Sequence, residues 1–138
     1  MTRLEASATL NLLLLATHQA DAAYWHEWDV FGVPGGIHFF LVFNAFAVGA
    51  LALGLVTIAA RRPGAVLAGR LSAGVGLLTV AIHAVFLVLD HQAFWDALSI
   101  GILSSIGVNA LWLLHCVRAE SLPTSTPPSA SPARLHQG

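Results

Sequence analysis

Between Thr17 and Val30 the chain reads THQADAAYWHEWDV, and His18, Asp21, His26, Glu27 and Asp29 stand together at the end of an otherwise apolar segment. Imidazole is a ligand for zinc, copper, iron and nickel, and a carboxylate completes such a shell or orients a ligating ring from behind. The same residue types serve proton relay and general acid–base work. Further along, His38 follows Pro34-Gly35-Gly36, His83 lies inside an apolar run, and Asp90-His91 closes that run. Residues three, four or seven apart share a helical face, so His18 pairs with Asp21 and His83 with Asp90. The candidate ligand set is therefore His18, Asp21, His38, His83, Asp90 and His91, and the candidate cofactor is a divalent transition metal. Neither His-Glu-x-x-His nor a pair of Glu-x-x-His motifs is present, so the set does not announce a metalloprotease or a carboxylate-bridged di-iron bundle. Three readings stay open: a metal site, metal-free catalysis or transport, and an interhelical hydrogen-bond network that only fixes packing.

The elements that must position these residues follow from composition. Of 138 residues, 57% are apolar and 9% are charged, whereas an ordinary soluble domain carries about 25% charge. This is the composition of an integral membrane protein. At about 20 apolar residues per crossing, the length accommodates four spans with short connections and no separate soluble domain. Lys is absent and the formal net charge is −1, which excludes a basic nucleic-acid surface. The lone Cys116 excludes an intramolecular disulfide and any cysteine-based zinc site, and reads as a small packing residue.

The first apolar run extends from about Leu4 to Trp25. A cleaved signal peptide is its rival reading, with Arg3 as n-region, Leu10 to Thr17 as h-region and Ala20-Asp21-Ala22 at the cleavage site; Glu5 and Asp21 both argue against it. A loop from Glu27 to Gly36 holds Trp28 and Phe31, with Trp25 just before it, aromatic rings of the kind enriched at membrane interfaces. The second span runs from Ile37 to Ala60 and stops at Arg61-Arg62-Pro63-Gly64. Along it Ala45 and Gly49, and Ala50 and Gly54, recur four apart, a spacing that permits close helix approach. The third span runs from Leu71 to Leu89, and the fourth, after the link Gln92 to Asp96, to about Val117. Residues 1–118 thus form the transmembrane domain. The Pro-, Ser- and Thr-rich residues 119–138 cannot bury enough surface to order themselves and are expected to be a disordered tail.

All six arginines, at positions 3, 61, 62, 70, 118 and 134, fall on one side of a four-crossing chain. Arginine-rich ends stay in the cytoplasm, which places both termini there and both hairpin loops outside. His18, His26, His38, His83 and His91 then occupy the outer half. Measured from the outer ends of their helices, His18, Asn44 and His83 each lie about 7 residues in, roughly 10 Å below the interface. Above this inner layer come Asp21, His26, Glu27, His38, Asp90 and His91, with Asp96 at the rim. Charges at the edge of hydrocarbon turn inward, so the layers should face each other across the bundle. Asn109, toward the other end, reads as an interhelical hydrogen bonder, and His115 as an interfacial residue near Trp112.

The segment HQADAAYWHEWDVFGVPGGIHFF, followed by a helix ending in Asp-His, resembles a family of small bacterial four-helix membrane proteins catalogued as a domain of unknown function. The likeness covers about Asn11 to Leu114 and is most specific from His18 through Gly36. In broad layout the chain is also similar to the HXXEE membrane family, named for a His-x-x-Glu-Glu motif late in an early helix. In His18-Gln19-Ala20-Asp21-Ala22 an acid fills the first Glu position and Ala the second. The resemblance implies four spans and a bacterial inner membrane, and brings no activity or cofactor.

The expectation is an all-α four-transmembrane-helix bundle with cytoplasmic termini and a His/Asp-lined polar site in its outer half, metal-binding or enzymatic in character. The alternative is a structural or accessory membrane subunit whose polar cluster only sets packing. The lipid bilayer is its medium, and a second copy or a membrane partner subunit its candidate partner. A transporter ranks third, because no internal repeat or matched pair of broken helices is visible.

Overall fold

A computed structural model describes residues 1–89 and 96–121, and among these residues all regular structure is helical. Five helices follow in order: α1 (Arg3–Tyr24), the single-turn α2 (Glu27–Val30), α3 (Gly36–Ala59), α4 (Ala65–Val88) and α5 (Ala97–Ser121). Three of them, α3, α4 and α5, are long and apolar enough to cross a membrane. The 22-residue α1 carries Arg3, Glu5, Asn11, His18 and Asp21 and is more polar than these three. Helix α4 begins at Ala65, six residues before the expected Leu71, because Arg70 sits exposed on its first turns. Helix α5 continues through Ala119-Glu120-Ser121, three residues beyond the boundary that composition suggests. Asp90, His91 and the tail from 122 to 138 lie outside the described residues.

The helices begin and end where their chemistry says they should. Thr2 and Glu5 form a capping box at the start of α1: the Thr2 hydroxyl accepts from Glu5 N–H at 3.1 Å and a Glu5 carboxylate oxygen accepts from Thr2 N–H at 2.9 Å, satisfying two amides that the first turn leaves open. Asp96 does the same work at α5, its Oδ2 accepting from Leu98 N–H at 2.9 Å and Ser99 N–H at 3.3 Å. At the end of α3, Arg61 N–H bonds Ile58 O and Arg62 N–H bonds Thr57 O, both at 3.0 Å, with Arg61 left-handed at φ 49°, the paired closure of a Schellman motif.

Packing repeats every seven residues. On α1 the buried residues are Leu4, Ala8, Asn11, Leu15, His18 and Ala22, with Ser7 beside them. On α4 a Cβ at Gly69 would meet Val117 and Leu4, and one at Gly76 would meet Ala110 Cβ at 3.1 Å and Asn11 Oδ1 at 3.2 Å. Positions 4, 11 and 18 of α1 therefore rise alongside 69, 76 and 83 of α4, while α5 descends from 117 to 110 past them. Helix α1 runs parallel to α4 and antiparallel to α5, joined by a seven-residue seam of the kind that left-handed bundles use. Glycine at 69 is required, since a Cβ there would lie 2.6 Å from Val117 Cγ2. Cys116 is buried in the apolar cluster that also holds Leu4, Ile58, Ala73 and Leu113. Helix α3 is peripheral: Ile58 is its one fully buried side chain. Of its small residues, a Cβ added at Gly54 would lie 3.7 Å from Ala68 Cβ, whereas one added at Gly49 would meet nothing within 4 Å.

Candidate metal centre

One heptad above the Asn11 layer, the α1–α4 seam brings two imidazoles together. The rings of His18 and His83 meet edge to face with centroids 4.7 Å apart, and both side chains are buried. Their third companion comes from the turn after α1. That helix ends at Tyr24, and His26 adopts a left-handed conformation at φ 51°, an unusual choice for a residue with a Cβ. The turn reverses the chain so that Glu27, the first residue of α2, is driven back into the bundle, where it is only 4% exposed. Trp28 follows it inward and packs on Phe40 of α3 and the His26 ring, with centroids at 5.1 and 5.0 Å. Phe31 covers Phe86 at 4.6 Å and the edge of His83 at 5.7 Å. The expected interfacial aromatic loop is thus partly a plug: Trp28 is buried and Trp25 remains exposed.

The protons of His83 follow from its partners. Its Nδ1 lies 2.8 Å from the carbonyl oxygen of Thr79, one turn back on α4. A carbonyl only accepts, so Nδ1 carries a hydrogen and donates it. That assigns the other nitrogen, Nε2, as the lone-pair end of a neutral ring, and Nε2 lies 3.1 Å from Glu27 Oε2. A lone pair facing a carboxylate in a buried site is repulsive. Positive charge must therefore stand between them, as a second proton on the ring, a proton on Glu27, or a cation bound to both.

Two more groups in the same place lack partners. His18 Nδ1 and Asp21 Oδ2 are buried and make no hydrogen bond among the described residues, and Asp21 acts electrostatically on both imidazoles. A buried polar atom left unpaired costs on the order of 1–3 kcal/mol. Together the cluster offers one donor atom each from His18, Glu27 and His83, all within 4.8 Å of one another. Donors of a tetrahedral zinc ion stand about 3.4 Å apart, so the widest pair closes by up to about 1.4 Å around a metal. Two nitrogens and one carboxylate oxygen suit a divalent transition metal.

The sequence-predicted residues divide accordingly. His18 and His83 meet, with Asp21 beside them. His38 does not join them: it is exposed in the first turn of α3, and it is Phe40, two residues and about 200° further round the helix, that faces inward on Trp28. Asp90 and His91 lie outside the described residues. Asn44, expected in the inner layer, donates to its own helix at Phe40 O, 2.9 Å away. Glu27 belongs with the two histidines, although helical spacing did not select it as a ligand, because a residue beyond a helix end has a direction set by the turn. At the other end Asn109 bonds across helices as expected, and His115 stacks on Trp112 at 5.2 Å.

Residues 4–120 match a family of unknown function, DUF6713, a span that covers all of α1 to α5 but Arg3 and Ser121 and holds every residue of this cluster. The chain belongs to that family. No curated protein and no solved structure matches it. DUF6713 membership carries no activity, so the chemistry of this member has to be argued from its own donors.

Proposed function

We propose that this DUF6713 protein is a four-span protein of the bacterial inner membrane, with both termini cytoplasmic and a divalent transition metal held near its outer end by His18, Glu27 and His83. The observation that carries the metal is the opposition of His83 Nε2 and Glu27 Oε2 at 3.1 Å, with the ring proton already committed to Thr79. A divalent ion supplies the positive charge this pair requires and gives His18 a partner. Asp21, outside the three-donor group, is the second carboxylate and brings the site's charge to zero, which a buried ion in a low-dielectric layer favours. Three protein donors leave a position for water or a substrate, as catalytic zinc sites do and closed structural ones do not.

What supports a fourth crossing is the distribution of polarity around α1. Of the residues that depress its hydropathy, Ser7, Asn11 and His18 in its middle are buried against α4 and α5 while Leu10 and Leu13 are exposed; Arg3, Glu5, Thr17, Gln19 and Asp21, none of them fully buried, lie toward its two ends. The surface it would offer to lipid is more apolar than its composition. With α1 as a span, the arginines share one side. Single cysteines replacing Asp29 and Pro63, both exposed, in a Cys116→Ser background test this directly. An impermeant thiol reagent added to whole cells should label position 29 and not 63, and the reverse pattern inverts the topology.

The metal is tested by elemental analysis of protein purified without chelators or metal-affinity resin. Near-stoichiometric metal is expected, lost in His83→Ala and retained in His115→Ala at the opposite end of the bundle. Metal-free wild-type protein would leave His83 and Glu27 as an ion pair and favour an accessory subunit whose polar cluster sets packing.

A further inference from the structure

The end of the bundle opposite the histidines contains a cavity of about 380 Å³ where α1 and α4 begin and α3 and α5 end. Its floor is Leu4 and Ile58, and its walls carry Thr2, Glu5, Arg61 and Glu120. Three charges thus surround one opening without neutralising each other: among the described residues Arg61 makes no ion pair with either glutamate. Glu5 spends one carboxylate oxygen on the capping box and keeps the other. Arg61 is held in the left-handed region at φ 49°, fixing the base of its side chain at the rim.

A ligand that satisfies this lining carries an anionic group for the Arg61 guanidinium and, a few ångströms away, a cation for two carboxylates. A phosphate bearing a short primary amine has that layout, with the guanidinium gripping phosphate oxygens in charge-assisted hydrogen bonds and the ammonium offering three N–H donors. The lining charges sum to −1, which disfavours a purely anionic ligand. A quaternary ammonium has no N–H to donate and is recognised instead by aromatic faces; none of the lining residues is aromatic. The cavity sits at the arginine-bearing face of the bundle, the level at which phospholipid headgroups are concentrated beside it. We propose that it binds the headgroup of an ethanolamine phospholipid. This inference is independent of the metal and uses the membrane placement proposed above.

The test uses the full chain in mild detergent, with lipids of matched acyl chains and ethanolamine, choline or glycerol headgroups, read by native mass spectrometry. Ethanolamine lipid should bind about tenfold tighter than choline lipid, equivalent to about 1.4 kcal/mol. In the double variant Glu5→Gln, Glu120→Gln this preference should vanish; Gln at position 5 preserves the capping box, and circular dichroism checks that the helices are intact. Arg61→Gln should weaken ethanolamine and glycerol lipids alike, and Arg70→Gln, exposed and outside the cavity, should change neither. Soluble phosphoethanolamine should compete only weakly, because the acyl chains of the lipid hold it in the same detergent micelle as the protein and the free headgroup has no such anchor. Equal affinity for ethanolamine and choline lipids, a preference for the glycerol lipid, a preference that survives in the double variant, or full competition by soluble phosphoethanolamine would each overturn the proposal.

Discussion

Two polar layers lie on the same faces of α1 and α4, about two helical turns apart on α1 and three on α4, and they are satisfied to different degrees. In the layer nearer the arginines, Asn11 Nδ2 donates to Ser72 O at 2.9 Å and Ser72 Oγ at 3.0 Å, and Asn11 Oδ1 accepts from Asn109 Nδ2 at 3.3 Å. Asn109 Nδ2 also donates to Ser7 O, and its Oδ1 accepts from the Ser7 hydroxyl, both at 3.1 Å. Every side chain here is neutral and has a protein partner. The upper layer is made of ionisable groups, leaves His18 Nδ1 and Asp21 Oδ2 unpaired among the described residues, and holds His83 Nε2 3.1 Å from Glu27 Oε2, a contact that needs a proton or a cation between the two atoms. Leu15, Leu103 and Ile106, all buried, stand on the helix turns between the layers and argue against one continuous proton path. A closed network that answers its own hydrogen bonds is a packing device; an open one of charged groups is where a ligand is missing from the account.

The sharpest way to break this contrast is to exchange deletions. Asn11→Ala should lower stability by about 2 kcal/mol, because it leaves a buried N–H of Asn109 without its acceptor and the carbonyl and hydroxyl oxygens of Ser72 without their donor, while metal content stays at the wild-type level. His83→Ala should abolish metal binding, and in the metal-free protein it should cost about 1–3 kcal/mol because it strips the buried Glu27 carboxylate of its partner. Thermal unfolding in detergent, paired with metal analysis of the same samples, reads both. If Asn11→Ala also empties the site, the two layers are one coupled network and not independent.

A smaller effect is expected at Asp21, which lies outside the group of three donors. Asp21→Asn keeps the shape and removes the charge. Outer carboxylates of this kind are worth about 10–100-fold in metal affinity, so competition with a chelator should show weakened binding near the lower end of that range and an unchanged helix content. Complete loss of metal would promote Asp21 to a direct ligand, and no change would remove it from the site.

The sequence makes some of this contrast visible and hides the rest for identifiable reasons. The long apolar helices are legible because runs of about 20 apolar residues have few other uses. The meeting of His18 with His83 is legible as well, since both lie equally deep below the outer ends of their helices. Asn109 announces itself as a buried polar residue in a span, but its partner Asn11 was recoverable only from the heptad: it precedes His18 by seven residues on a face that also holds Leu4. Asn44 and His38 mislead because depth says nothing about rotation, and α3 turns most of its surface away from the bundle. Glu27 is hidden for a deeper reason. Periodicity ends with the helix, and what aims this carboxylate is one left-handed residue that no spacing rule registers.

That residue supplies the smallest and most specific test. His26 is exposed, and its ring rests against Trp28, so its contribution to the site runs through its backbone at φ 51°. A left-handed conformation costs an ordinary L-residue about 1–2 kcal/mol, and glycine removes that cost while adding about 0.5–1 kcal/mol of chain entropy to the unfolded state. His26→Gly should therefore stabilise the protein by about 0–1.5 kcal/mol and leave metal content intact because Glu27 is still turned inward. His26→Val should do the opposite, since a β-branched side chain resists this conformation, and the turn that relaxes to accommodate it carries Glu27 out of reach of His83. Weaker metal binding in the valine variant than in the glycine variant would show that the turn aims the carboxylate. Equal loss in both would instead make the His26 imidazole itself a participant, and move the site outward toward the rim.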